Sequence, residues 1–398
     1  MLERRLCLEQ YLCLDRFGPR SPMPGKPAVP VPVKVNPMSK QRLNIAMIGT
    51  GSIARAHSNA FRQVGHFFNI PYELNLKIVC GRNQNKLESA AGQWGWAETA
   101  TDWQAVVGRP DIDIVDIAVP NSLHAPIAIA AANAGKIVLC EKPLATSLAE
   151  AEAMADAMSK VPSLVWYNYR RIPAVVFAKR LITEGRLGQV FHYRALYLNQ
   201  SGNDPSKANT WRYRRSESGT GAAGDLLSHS VDSALYLNGP IAELTATTQT
   251  FVPGRDVDDA TLLLARFVNG SVGTFEATRY GVGCRNREAF EINGSKGMLR
   301  FNLEAMNQLE FLDATEPPNQ QGVRNLTVTG PDHPYSENFW KPGHIIGYEH
   351  TFIAMLGDFL STLDRANPSH TDVDEAVAVQ KVLNAVERSA VSRTWVKL

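Results

Sequence analysis

Residues 43–56 read LNIAMIGTGSIARA: an apolar run, then Gly49, Gly51 and Ala54, then residues that favour a helix. This is the Gly-x-Gly-x-x-Ala spacing of a dinucleotide-binding turn. A residue without Cβ lets the backbone turn tightly at Gly49 and approach a pyrophosphate at Gly51, while Ala54 lets helix and strand pack closely. The N–H groups in the first turn of the following helix have no partners inside it, and together with the helix dipole they favour an anion. Ser52 and Ile53 therefore join Gly49 and Gly51 as candidate cofactor contacts. The same spacing also occurs in ordinary glycine-rich turns, so its meaning rests on the flanks.

Those flanks alternate strand and helix. A helix is expected from Ile53 through Phe61 and beyond, then a strand at 78–80 ending in Gly81-Arg82-Asn83. In a fold of this kind that strand end faces the adenosine ribose, where a carboxylate would accept from the 2′-hydroxyl of NAD. Here no carboxylate stands, and Arg82 can fork onto phosphate oxygens, which tilts the cofactor, written NAD(P), towards NADP. Arg82 can equally stack on the adenine or merely solvate the loop. After a helix at 86–94 comes DIDIVDIAVPNSLH, whose Ile112, Ile114, Val115, Ile117 and Val119 suit a parallel strand buried on both faces. Ligands of open parallel sheets sit beyond the carboxyl ends of strands, so Pro120, Asn121 and His124 are cofactor-side candidates, His124 having a surface position on the next helix as its alternative. That helix, 125–134, meets its C-cap at Gly135. KIVLCEKPLATSLAEAEAM, 136–154, repeats the pattern and puts Glu141 and Lys142 at a strand end. A lysine there is usually solvated, but one beside a nicotinamide can polarise a hydroxyl or carbonyl and move its proton. The alternation predicts an α/β fold with a doubly wound parallel (Rossmann) sheet over 41–162.

The 398 residues suffice for two domains, and 44% hydrophobic content fits two cores. A net charge of +2 without a sustained basic run gives no field that argues for a nucleic-acid or anionic-membrane partner, and neither is expected. No run of about 18 apolar residues exists, so no membrane span is expected. Cys7, Cys13, Cys80, Cys140 and Cys284 form no ligand or redox pair, which points to a cytoplasmic location. Residues 1–40 differ from the rest. Seven prolines fall between Pro19 and Pro37, so this extension is expected to be disordered. Glu9, Gln10 and Asp15 interrupt the apolar core that a secretory signal needs.

From 163 to 398 the texture changes. VWYNYRRIPA ends a strand and opens a helix with Pro173 early in it. Strands are expected at 190–198, 244–251, 260–267, 273–279, 289–293 and 298–302, with hairpin turns at Val268-Asn269-Gly270 and Asn293-Gly294-Ser295. A mostly antiparallel sheet with helices on one side follows, together with helices at 350–363 and 374–390. Between its first strands lies WRYRRSESGTGAAGDLLSHSVDSALYLNG, a glycine-rich loop running into a helix with Asp225, His229 and Asp232. Residues four apart share a helix face, so Asp225 and His229 can address one substrate. Histidine titrates near neutrality, which suits removal of a proton from an alcohol. The plainer alternative is a capping Asp225 and a packed His229. No metal frame accompanies the pair.

Five motifs in order, GTGSIARAH, AVPNSLH, EKPLA, YNYRR and GDLLSHSVD, carry a resemblance to the glucose–fructose oxidoreductase/inositol dehydrogenase/MocA (Gfo/Idh/MocA) family of NAD(P)-dependent sugar oxidoreductases. It spans nearly all of 43–390. The resemblance implies a Rossmann domain followed by an α/β domain whose open sheet supports homo-oligomers, dimers or tetramers. It also implies Lys142, Asp225 and His229 as the catalytic trio: His229 as general base, Lys142 against the reacting oxygen, and Asp225 holding the substrate or orienting the histidine. Lysine and histidine can exchange roles. The second half is most similar to the branch that oxidises the C3 hydroxyl of an anhydro sugar or glycoside, through Tyr169-Arg170-Arg171, Trp211-Arg212, Glu276-Ala277-Thr278-Arg279 and His333-Pro334-Tyr335. Tyr169, Arg170, Trp211, Arg212, Arg279 and Tyr335 are thus candidate substrate contacts, each arginine having a simple ion pair as its alternative. Rival readings are an inositol or polyol dehydrogenase, a cofactor-retaining glycoside hydrolase working by transient oxidation, and a non-catalytic sensor.

Overall fold

The structure, a computed structural model, describes residues 40–204, 210–363 and 373–398. The expected disordered extension lies, apart from Lys40, outside the described residues. Within them β1 (Gln41–Ile48) is buried on both faces from Leu43 onward except at Asn44, because its neighbours lie on either side in a sheet covered front and back. α1 (Ser52–Phe67) buries Ala54, His57, Ser58, Phe61 and Val64, a stripe at helical spacing. Then follow β2 (Tyr72–Cys80), α2 (Gln84–Trp94), β3 (Glu98–Ala100), α3 (Trp103–Val107), β4 (Ile114–Ile117), α4 (His124–Asn133), β5 (Ile137–Cys140), α5 (Leu148–Met158) and β6 (Ser163–Val165). Caps mark the boundaries: Asn83, Asp102 and Ser147 each accept a first-turn N–H of the helix they precede. These six strands form one sheet, all parallel, in the order β3-β2-β1-β4-β5-β6.

The parallel sheet therefore runs past the expected boundary at residue 162, since β6 pairs with β5 through Ser163, Leu164 and Val165. Three residues carry too little periodicity to be assigned to a sheet from sequence. The second half contributes α6 (Pro173–Thr183), β7 (Val190–Leu198), α7 (Arg215–Ser218), a single π-helical turn at Ala223–Leu227 that continues as α8 (Ser228–Asn238), β8 (Ile241–Gln249), β9 (Ala260–Phe267), β10 (Val272–Thr278), β11 (Arg287–Gly294), β12 (Gly297–Asn302), β13 (Gln308–Asp313) and β14 (Arg324–Thr327). It closes with α9 (Tyr348–Thr362), α10 (Val373–Ser392) and β15 (Val396–Lys397). Nine strands among the described residues form one sheet, β14-β13-β12-β11-β7-β10-β9-β8-β15, antiparallel except where β7 runs alongside β10. α8 and α10 cover one face. On the other, Leu262 and Leu264 of β9 are 45% and 50% exposed.

One element crosses the expected division. α9 packs on α1, with Phe352, Ile353, Leu356 and Phe359 joining Phe61, Val64 and the β1 residues Ile45 and Met47 in a single apolar cluster. Burial of each such side chain contributes about 1.5–3 kcal/mol, so the parallel sheet depends on a helix nearly 300 positions further along the chain. No helix among the described residues is long and apolar enough to cross a membrane.

Candidate active site

The turn after β1 has the geometry its glycines imply. Gly49 holds φ +134, its N–H donates to the Cys80 carbonyl at 2.8 Å, and a Cβ there would lie 2.2 Å from the Ala118 oxygen. Gly51 starts α1 with no side chain capping the first turn, and no atom lies within 4 Å of where its Cβ would be. The helix thus presents unpartnered N–H groups beside open ground, which is what a pyrophosphate requires. From this turn a cavity of about 640 Å³ runs past Pro120, Asn121, Glu141 and Lys142 to Asp225 and His229. Gly81, Arg82, Lys86, Thr101 and Trp103 line it as well. Arg82 and Lys86 are exposed and have no carboxylate partner among the described residues. An anion site at a helix start, a strand-end ribose site and a long channel between them fit a dinucleotide.

Lys142, Asp225 and His229 meet in the same cavity. The Lys142 ammonium donates to the Asp225 carbonyl at 2.8 Å and sits 3.4 Å from its carboxylate Oδ1. Arg279, only 2% exposed, donates from Nη2 to Asp225 Oδ2 at 3.1 Å and to the Gly221 carbonyl at 3.2 Å. Burial pushes the Asp225 carboxyl up, but the Lys142, Arg279 and Arg212 cations outweigh it and hold it well below the usual carboxylate range. His229 goes the other way. Burial, reinforced by the Lys142 charge and opposed by Asp225, keeps its imidazole well below the ordinary value, so the ring is neutral. Asp225 forms no hydrogen bond with His229 here; its oxygens are taken by lysine and arginine. The histidine is instead oriented by stacking on Tyr169, with ring centroids 4.2 Å apart and planes 20° from parallel. Its Nδ1 is buried without a hydrogen-bond partner, which leaves Nε2 to face the cavity.

Three expected contacts fall outside the cavity lining. The imidazole of His124 is buried between the Pro143 and Val119 carbonyls, each 3.0 Å from a ring nitrogen, and so ties the β4 and β5 turns together. Arg170 forks onto Asp232 at 2.9 and 2.7 Å and also pairs with Glu375. Tyr335 donates to Asp358 at 2.8 Å among Phe68 and Phe339. In the latter two the polar head is spent inside the protein, an outcome that residue type does not reveal. Because loss of one partner strands a buried charge, Arg170→Met should lower the unfolding free energy by about 3–5 kcal/mol while sugar KM, measured on folded enzyme, stays within about twofold.

Tyr169, Trp211, Arg212 and Arg279 do line the cavity, Arg212 lying 4.6 Å over the Trp211 ring. Others there had no signal in sequence. Tyr197 donates to Asn286 at 2.8 Å and meets the Tyr169 hydroxyl at 3.0 Å. Asn199, Asn286 and Tyr348 also face the space. Inward strand tyrosines read as core, and Tyr348 arrives only because α9 folds back.

Residues 43–169 match a family model described as an oxidoreductase family with an NAD-binding Rossmann fold, and residues 175–300 match the GFO/IDH/MocA C-terminal domain. The chain is 36% identical to levoglucosan dehydrogenase of Pseudarthrobacter phenanthrenivorans, over 89% of this chain and 98% of that protein. Among solved structures, an oxidoreductase domain protein from Kribbella flavida superposes with a TM-score of 0.87 at 42% identity, covering 90% of this chain and 99% of the other. Levoglucosan dehydrogenase in complex with NADH and levoglucosan gives the same TM-score at 38% identity, again covering 90% and 99%.

Proposed function

Because this chain belongs to the GFO/IDH/MocA oxidoreductase family, we propose that it oxidises the C3 hydroxyl of an anhydro sugar or glycoside to a ketone. It is an NAD-dependent sugar oxidoreductase. The observation that carries the finer reading is that one cavity joins the Gly49–Gly51 turn to Lys142, Asp225 and His229.

When bound, the dinucleotide supplies the hydride acceptor, the nicotinamide C4. The chain does the rest. Gly49, Gly51, Ser52 and Ile53 would hold the pyrophosphate, and the β4 and β5 turns with Pro120, Asn121, Glu141 and Lys142 would border the nicotinamide end. His229, neutral and with Nε2 free, takes the hydroxyl proton. The Lys142 ammonium stabilises the alkoxide charge that develops on the same oxygen, and Asp225, pinned by Lys142 and Arg279, accepts from a neighbouring sugar hydroxyl. Trp211 offers an apolar face to the ring carbons of a pyranose, and the paired tyrosines Tyr169 and Tyr197 border the same space.

A panel of anhydro sugars, glycosides and inositols, followed at 340 nm with NAD and NADP while aglycone release is monitored, tests the reading. Reduction of NAD by a C3-bearing anhydro sugar or glycoside is expected. Inositol turnover alone, or aglycone release without net NADH, would replace it with a rival. The cationic strand end supports acceptance of NADP as well as NAD: Arg82→Ala should weaken NADP binding by about tenfold and leave NAD within about threefold, read by fluorescence titration.

The open face of the second sheet, with Leu262, Leu264 and Val272 exposed, supports a homo-oligomer built on that face. Light scattering at micromolar concentration that reads only monomer would contradict it. The free thiols Cys80, Cys140 and Cys284 support a reducing, cytoplasmic setting.

A further inference from the structure

Behind the Glu141–Lys142 turn lies a buried polar chain that the proposed reaction does not use. His57 projects from α1 with no solvent exposure. Its Nε2 is 3.0 Å from Glu141 Oε1 and its Nδ1 is 2.8 Å from Asp116 Oδ2. Asp116, in the middle of β4, accepts from the Trp166 indole N–H at 2.9 Å through its other oxygen. The imidazole stacks on Trp166 with ring centroids 4.2 Å apart and lies 5.4 Å from the Phe352 ring of α9, and among the described residues the charged groups acting on it are the two carboxylates. The remaining Glu141 oxygen accepts the backbone N–H of Lys142 at 3.0 Å.

A carboxylate at each ring nitrogen calls for a donor at both, which only the protonated ring provides. The surroundings supply that form. Burial pushes His57 down, but Asp116 and Glu141 outweigh it and raise the imidazole to about 9. Desolvating three charged groups is unfavourable where apolar side chains would pack as well, so stability alone does not account for the chain. Its ends do. One end is the helix whose first turn faces the dinucleotide; the other is the backbone of the lysine whose head rests on Asp225.

We propose that His57 is a positioning residue: clamped between Asp116 and Glu141, it fixes the Glu141 carboxylate and through it the Lys142 backbone, coupling the dinucleotide-bearing helix to the lysine at the reacting oxygen. The proposal rests on the assignment of Lys142 made above. If Lys142 is correctly placed only through this chain, losing the clamp costs turnover rather than binding, and a side chain able to donate to Glu141 restores part of it.

The test compares wild type, His57→Leu and His57→Gln in kcat, sugar KM, NAD affinity by tryptophan quenching, and melting temperature, with a crystal structure of His57→Leu. Expected is a fall in kcat of about 10–100-fold in the leucine variant with KM and NAD affinity within about threefold, recovery of about fivefold or more in the glutamine variant, and displacement of the Lys142 ammonium from the Asp225 carbonyl. A fall of less than threefold at a temperature where the variant is folded, equal losses in kcat and NAD affinity, or no recovery with glutamine would overturn it. Should His57→Leu fail to fold, His57→Met, which also fills the space without donating to Glu141, is judged by the same kcat and affinity criteria. Wild type inert on every sugar would remove the functional reading, not this one, since the Lys142 displacement is read without turnover.

Discussion

Lys142→Met should lower kcat by about three orders of magnitude while NAD affinity stays within about fivefold. Methionine keeps the length and apolar stem of the side chain but removes the ammonium held 2.8 Å from the Asp225 carbonyl. The charge that the proposed mechanism sets against the developing alkoxide is then gone, and among the described residues Asp225 retains Arg279 alone as a hydrogen-bonded cation. A second effect follows from the same geometry. Lys142 is one of the causes that depress the His229 imidazole, so its removal lets that group rise towards its ordinary value of 6.5. If neutral His229 is the base, activity is lost as pH falls and the ring takes a proton. The acidic limb of kcat/KM, well below 6.5 in the wild type, should therefore move to higher pH in the residual activity of the variant. Near-wild-type turnover would exclude Lys142 from the chemistry. An unmoved limb would exclude His229 as the group reporting it.

Gly49→Ala is expected to be nearly as damaging, for a different reason. The new Cβ would lie 2.2 Å from the Ala118 carbonyl oxygen, in a backbone conformation, φ +134, that L-residues rarely adopt. Relief requires the β1 turn and the segment after β4 to separate, because the three nearest atoms, O, C and Cα of Ala118, are all backbone. Denaturant unfolding should show a loss of about 2–4 kcal/mol, and NAD affinity should fall by about 30-fold or more. Gly51→Ala is the control. Nothing lies within 4 Å of its Cβ position, so stability should change by less than about 1 kcal/mol while NAD binding still weakens, the methyl group occupying ground that the pyrophosphate needs. Equal stability losses in both variants would mean that the two glycines do not divide the work in this way.

The parts legible in sequence were those governed by local rules. The β1 turn, the β-branched run of β4, the Lys142 strand end, and the Asp225–His229 spacing each announce themselves within about a dozen residues, and the cavity is bordered by the first, third and fourth and by the turn that follows β4. Strands β7 and β9 fall at the expected limits, Val190–Leu198 and Ala260–Phe267, because alternation is sharp there. What was hidden depends on distant partners. Arg170 and Tyr335 look like substrate contacts until Asp232 and Asp358 are seen to take their polar heads. His124 is consumed by two backbone carbonyls. Orientation of His229 by Tyr169, rather than by Asp225, is a packing outcome that no spacing encodes. β13, β14 and β15 were not anticipated, being short or mostly polar, and β6 belongs to the first sheet only because β5 is there to pair with it. The fold-back of α9 likewise merges two stretches that composition divides.

The most direct test of the central claim uses levoglucosan carrying deuterium at C3, incubated with NAD and the purified protein. The account predicts NADH formation at 340 nm, deuterium recovered at the nicotinamide C4, and a primary isotope effect on kcat/KM of about 2 or more if the transfer limits the rate. NADH formed without deuterium would place the oxidation at another carbon. No NADH with levoglucosan, or with any other C3-hydroxyl sugar at saturating NAD, would contradict the account.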